Sequence, residues 1–299
     1  MSSMASLLLL TILFALFLTS NGTKASILIQ DFPTLSFEEG YTQLFGDTNL
    51  MLLSNGNTVH ISLDERTGAG FASQDLFLHG FFSASIKLPS HYTAGVVVAF
   101  YMSNGDVFEK THDELDFEFL GNVRGREWRV QTNVYGNGST AIGREERFYI
   151  DKVPIREVVK NQYIGGAFPS KPMSLYVTIW DGSTWATGGG RYKVNYKYAP
   201  YVAEFANLIL QGCVVDPTDH SSACDDFYSD GFGTMTVSFD EKLKMESFRR
   251  KYMTYSYCYD VVRYSKPLPE CITDHHGIEH VRAGRRGRQK YGNKKQSAI

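Results

Sequence analysis

Beyond Ser20 the chain has no apolar run long enough to cross a bilayer, so no helical membrane span is expected. Neither sign of charge prevails: 30 Lys and Arg stand against 32 Asp and Glu, for a net charge of −2. A nucleic-acid partner is therefore not expected. Cysteine is scarce. The four present, Cys213, Cys224, Cys258 and Cys271, suit two bridges in an exported chain, and three pairings are open to them. Local pairing closes two short loops, so Cys213–Cys224 and Cys258–Cys271 are expected. Internal repeats and a clear linker are also missing. No loop gathers converging oxygen ligands as a calcium site would, and no metal or cofactor is expected.

What is present begins with a short apolar run, Leu7 to Leu18, which reads as the core of a secretory leader ending at Ala25. At the other end no acidic residue follows Glu279, while Arg282, Arg285, Arg286, Arg288, Lys290, Lys294 and Lys295 do. That segment reads as a solvated basic tail, and His275, His276 and His280 belong to it, not to a metal site. Asn21 leaves with the leader, so Asn137-Gly138-Ser139 is the expected glycosylation sequon.

Between these ends a period of two dominates. Phe82, Ala84, Ile86 and Leu88 alternate with polar residues, and Ala94 to Met102 is a continuous apolar run suited to a strand buried on both faces. Trp128 to Tyr135 sets Arg129, Gln131 and Asn133 against Val130, Thr132 and Val134. Turn residues separate these runs, so the expected fold class is all-β, a sandwich or barrel. Near the C-terminus Ser238-Phe239-Asp240-Glu241 has capping-box form, which predicts one helix carrying Leu243, Phe248 and Tyr252. The aromatic run Tyr252 to Tyr259 reads as a short closing strand.

One strand carries the chemistry. In His112 to Gly121, HDELDFEFLG, Glu114, Asp116 and Glu118 alternate with Leu115, Phe117 and Phe119. Successive side chains point to opposite faces, so three carboxylates share one face. Like charges so placed repel, and an ordinary half-buried strand does not line them up. Chemistry that needs one carboxylate ionised and another protonated accounts for them. The Cα atoms of the two glutamates lie about 13 Å apart on a straight strand. Inward lean on a concave face could bring the carboxyls to about 5 Å, the retaining-glycosidase separation.

HDELDFEFLG resembles the glycoside hydrolase family 16 signature of plant xyloglucan endotransglucosylase/hydrolases. Gln131-Thr132-Asn133, Gly143-Arg144-Glu145-Glu146, Val153-Pro154-Ile155-Arg156-Glu157, Trp180-Asp181-Gly182 through Trp185-Ala186-Thr187, and Tyr257-Cys258 with Pro269-Glu270-Cys271 match family blocks in order. The resemblance implies a curved jelly roll with a concave cleft and a C-terminal extension. Residues 1–25 would be leader, 26–205 jelly roll, 206–272 extension and 273–299 basic tail. It implies a secreted, monomeric xyloglucan endotransglucosylase of the cell wall that takes xyloglucan chains as donor and acceptor. Glu114 would be the nucleophile, Glu118 the acid/base and Asp116 their electrostatic helper. Gln131, Thr132, Asn133, Arg144, Glu145, Glu146, Thr184, Trp185, Gly189 and Arg263 would join Glu118 at the glucan, and the two local disulfides would be kept. Net xyloglucan hydrolysis and a catalytically impaired, glucan-binding splice variant are the rival readings.

The chain departs from the pattern once. Between Phe148 and Tyr149 the family's Trp-Phe-Asp-Pro turn and the strand after it are skipped. Losing a central strand leaves neighbouring backbone groups unpaired. The expectation is a splice variant or imperfect gene model whose catalytic strand lacks a neighbour, with poor secretion or little activity.

Overall fold

Alternating burial builds this molecule, and in the computed structural model it can be followed over residues 32–140, 146–158, 169–215, 237–260 and 262. Thr34–Ile299 form one compact unit; of the preceding unit only Phe32 and Pro33 are described. A short helix α1 (Phe37–Gly40) leads into β1 (Tyr41–Phe45), β2 (Leu50–Leu53), β3 (Thr58–Leu63), β4 (Ala69–Ser73), β5 (Phe77–Lys87) and β6 (Val96–Ser103). Next come β7 (Glu114–Leu120), β8 (Arg129–Gly136), β9 (Ser139–Thr140), β10 (Glu146–Ile150), β11 (Val153–Val158), β12 (Ser174–Asp181) and β13 (Tyr201–Val214). Helix α2 (Phe239–Tyr252) follows.

Seven strands form one antiparallel sheet in the order β1-β4-β12-β6-β7-β8-β9, and four form a second in the order β2-β3-β13-β5. Strands β10 and β11 pair only with each other among the described residues. The two sheets enclose one core, with Val59 and Ile61 from β3, Phe71 from β4, Val96 and Val98 from β6, Leu175, Val177 and Ile179 from β12, and Phe205 from β13. Leu115, Phe117 and Phe119 add the apolar face of β7 to it. This is the curved β-sandwich expected, and β6 is buried along nearly its whole length, as its unbroken apolar run predicts.

Three expectations need correction. The boundary expected at 205/206 falls inside β13, which pairs with β3 from Tyr201 to Ala206 and with β5 from Glu204 to Val214. The sandwich therefore runs to Val214. Helix α2 begins with the expected capping box, Ser238 Oγ accepting from Glu241 N and Glu241 Oε2 from Ser238 N. No strand follows it among the described residues, however. Tyr252 is the last residue of α2, and residues 257–259 form a 3₁₀ turn in which Ser256 Oγ accepts from Cys258 N. That local bond gives the backbone an alternative to a sheet ladder.

The third correction concerns the skipped segment. Strand β7 lacks no neighbour: β6 pairs with it from Val97–Leu120 to Ser103–Glu114, and β8 from Arg129–Leu120 to Tyr135–Glu114. Among the described residues the outer edge of β8 is paired only at Tyr135–Thr140 and Gly136–Ser139. Behind this edge the β10–β11 hairpin packs through Phe148 and Val158 against Val134, Leu115 and Phe117.

Candidate active site

The register of β6, β7 and β8 sets three same-face rows. They are Ser103–Glu114–Tyr135, Tyr101–Asp116–Asn133 and Ala99–Glu118–Gln131. Strand β12 extends them with Ser174, Tyr176 and Thr178. Alternation thus delivers the three acidic residues to one face, as the sequence predicts, and gives each a different set of partners.

Glu118 is held by amides. Gln131 Nε2 donates to its Oε2, and Asn133 Nδ2 donates to the same oxygen at 3.0 Å. Since Oε2 accepts twice, a proton on this carboxyl belongs on Oε1. Asp116 is only 5% exposed. Burial, and then the neighbouring charge of Glu114, pushes its carboxyl up to about 8. Burial also raises Glu114, while a bond from the Ser103 hydroxyl and the charge of His112 pull it back. Asp116 and Glu114 share a hydrogen bond and titrate as a pair. Asp116, the more deeply buried, keeps the shared proton into the neutral range and donates it toward Glu114.

Aromatic side chains flank the acids. Tyr101 and Tyr176 stack at 5.2 Å between centroids, and the Tyr176 hydroxyl is hydrogen-bonded to Asp106. Burial, then the Glu114 charge, raises the Tyr101 hydroxyl. Trp180 and Trp185 sit 5.9 Å apart. The loop bearing Trp185 is fastened by Thr187, whose buried Oγ1 accepts from Gly95 N and donates to Gly121 O. Thr184 and Gly189 lie on that loop, and both are exposed. Gly189 has φ +69° with open space around its Cα, a conformation that suits glycine.

Not every expected residue joins them. Thr132 pairs with Phe117 and faces the opposite side of the sheet, where its hydroxyl accepts from Arg156 at 3.0 Å. It is not on the groove, because its neighbours Gln131 and Asn133 are. Glu146 belongs to β10, and Arg144, Glu145 and Arg263 lie outside the described residues. Asn137 is exposed in the β8–β9 turn with φ +52°. Cys213 and Cys258, the two described cysteines, are disulfide-bonded; Cys224 and Cys271 lie outside the described residues.

Asp113 was missed. It is fully buried, and its carboxylate accepts from the backbone of Asn137, Ser170 and Lys171 and from Lys171 Nζ at 3.2 Å. Burial pushes this carboxyl up, but these bonds outweigh it and hold it below the ordinary range. Asp113 thereby pins the start of β7. Its only sequence signal was its place next to Glu114, on the face opposite the three acids.

Glycosyl hydrolases family 16 is matched over residues 37–148 and 143–198, two stretches that meet where the sequence departs from the pattern. The xyloglucan endo-transglycosylase C-terminus is matched over residues 225–271. A probable xyloglucan endotransglucosylase/hydrolase, protein 28 of Arabidopsis thaliana, is 56% identical over 271 residues, covering 82% of this chain and 82% of its own. Protein 27 of the same plant is also 56% identical, over 85% of this chain and 84% of its own. Among solved structures, a lichenase from a mouse hindgut metagenome is 17% identical with a TM-score of 0.47, covering 60% of this chain and 98% of that one.

Proposed function

The chain belongs to glycosyl hydrolases family 16, in its xyloglucan endotransglucosylase/hydrolase branch, and from that premise we propose a transglucosylase. It cuts the β-1,4-glucan backbone of xyloglucan with retention and passes the cut chain to a second xyloglucan. Glu114 attacks the anomeric carbon as Glu118 Oε1 gives its proton to the departing glucan oxygen, leaving a glycosyl ester on Glu114. An acceptor hydroxyl then loses its proton to Glu118, attacks the same carbon and frees Glu114. Asp116, neutral and hydrogen-bonded to Glu114, orients the nucleophile and spares it a second adjacent negative charge.

The observation that carries this reading is the unequal treatment of three acids on one strand. Glu118 has one oxygen engaged by two amides, and Asp116 is buried and hydrogen-bonded to Glu114. Trp180, Trp185 and Gly189 supply faces and room for sugar rings. Export to the cell wall follows the leader, with a glycan on Asn137 and the local pairs Cys213–Cys224 and Cys258–Cys271. The protein acts as a monomer.

The test is incorporation of a labelled xyloglucan oligosaccharide into polymer. Wild-type protein should incorporate label, and Glu114→Gln should bind xyloglucan without doing so. Release of reducing ends with no incorporation would replace the proposal with net hydrolysis. A second reading, a glucan-binding form with impaired turnover, is favoured by the match broken at residues 143–148 and by the outer edge of β8, paired among the described residues by β9 alone. Binding without either product would establish it.

A further inference from the structure

The two amides that hold Glu118 come from residues on either side of Thr132, so whatever fixes the Thr132 peptide fixes both. On its inner side that peptide belongs to the ladder with β7. On its outer side β9 reaches only Tyr135 and Gly136, and no strand fixes Thr132 among the described residues. A guanidinium does so instead. Arg156 Nη1, from β11, donates to Thr132 O at 2.8 Å and to Thr132 Oγ1 at 3.0 Å. The group lies over two rings, 5.7 Å from the centroid of Phe148 and 5.6 Å from that of Tyr257. Its Nη2 donates to the Tyr257 hydroxyl at 3.4 Å.

We propose that Arg156 is a positioning residue for Glu118, and that through Tyr257 the C-terminal extension helps to set the proton donor. The chain of contacts runs from Tyr257 to Arg156, through Thr132 to Gln131 and Asn133, and ends on Glu118 Oε2. Three features support it. The donor is charged and its acceptor is a strand-edge carbonyl, a stronger bond than the neutral ladder bond it replaces. The planar guanidinium lies over two rings and cannot be exchanged for a lysine, which lacks both the fork and the flat face. Finally, Thr132 faces away from the groove, so Arg156 acts on the two amides through the backbone of β8 and not by touching them.

The inference rests on Glu118 being the proton donor, and the test separates the two claims. Xyloglucan needs a proton on its leaving oxygen, whereas the strongly acidic phenol of a dinitrophenyl glycoside of a xyloglucan oligosaccharide departs as the phenolate without one. The pre-steady-state release of phenol from that donor therefore reports attack by Glu114 alone. Arg156→Gln and Arg156→Lys should each lower kcat on xyloglucan about tenfold, within the range a general acid contributes, with KM and the phenol burst nearly unchanged. Tyr257→Phe, which keeps the ring, should move the same way two- to threefold. Equal losses on both donors, or no loss on xyloglucan from a folded Arg156 variant, would overturn the positioning role. If Arg156→Gln does not fold, Arg156→Lys and Tyr257→Phe decide by the same split. Should Glu118→Gln itself slow both donors equally, the assignment of Glu118 fails, and that result is distinct from failure of Arg156.

Discussion

The two flanks of β7 are built differently. Toward β6 and β12 the sheet is a continuous ladder from Val96–Asp181 to Ser103–Ser174, and most of its residues are buried. Toward β8 the ladder narrows, among the described residues, to the two pairs with β9, and a small cluster of Val134, Phe148 and Val158 stands behind it. The nucleophile row leans on the first flank through Ser103. The acid/base row leans on the second through Gln131, Asn133 and Arg156. Glu114 is bonded by the Ser103 hydroxyl of β6 and by Asp116 of its own strand, whereas Glu118 is bonded by two amides of β8, so the proton-transfer side can be perturbed without dismantling the fold.

Substitutions can break or sharpen this contrast. Glu114→Gln strikes the better-supported flank and should cost at least a thousandfold in incorporation, about 4 kcal/mol in the barrier. No glycosyl adduct should then appear by intact-mass spectrometry. Phe148→Ala removes the ring that packs edge-on to Phe117 at 5.1 Å. It should lower unfolding free energy by about 3 kcal/mol, read by denaturant titration. Hydrogen exchange in that variant should rise in β8, β10 and β11 before β6 and β12.

Asp116→Asn should act on stability with a definite sign. The carboxyl is raised from 3.8 to about 8 in the folded protein. Between those limits the folded state holds a proton that the unfolded state releases, so wild-type stability falls as pH rises from about 4 to about 8. The amide cannot ionise and removes that slope. Its Tm should exceed wild type by several degrees at pH 8, converge near pH 4, and come with a lower turnover. Gln131→Ala should have the smallest effect, about a tenfold loss in kcat on xyloglucan with little change in Tm. A larger loss from Ser103→Ala than from Gln131→Ala would reverse the contrast between the flanks.

Much of this was legible from spacing. The period of two in β6, β7 and β8 located the strands, and the parity of Glu114, Asp116, Glu118, Gln131 and Asn133 located one face. The capping box at Ser238 located α2. Residues that act by connecting distant segments were not legible. Asp113 joins the β8–β9 turn to residues 170–171, and no local pattern announces a carboxylate whose donors lie 24 and 57 residues away. Arg156 lay inside a recognised block, yet its partner Thr132 was grouped with the glucan contacts beside it in sequence. Tyr252 to Tyr259 has strand-like composition, but strand formation needs an edge to pair with, and sequence does not reveal which edges are open. The same holds for the skipped segment: the strand expected to lack a neighbour, β7, is paired on both sides.

The strand β13 has a consequence for the order in which this molecule can come into being. It fills the middle of the second sheet, between β3 and β5, and the pair His60–Glu204 spans 144 residues. Until Tyr201–Val214 has been synthesised and has emerged, β3 and β5 have no strand between them, and the edges that pair with it stay open. Assembly is consequently non-local and slow, with unpaired edges waiting on the last strand of the sandwich. For this chain the interval between synthesis and closure is when it is most open to aggregation, and the arrival of β13 ends that interval.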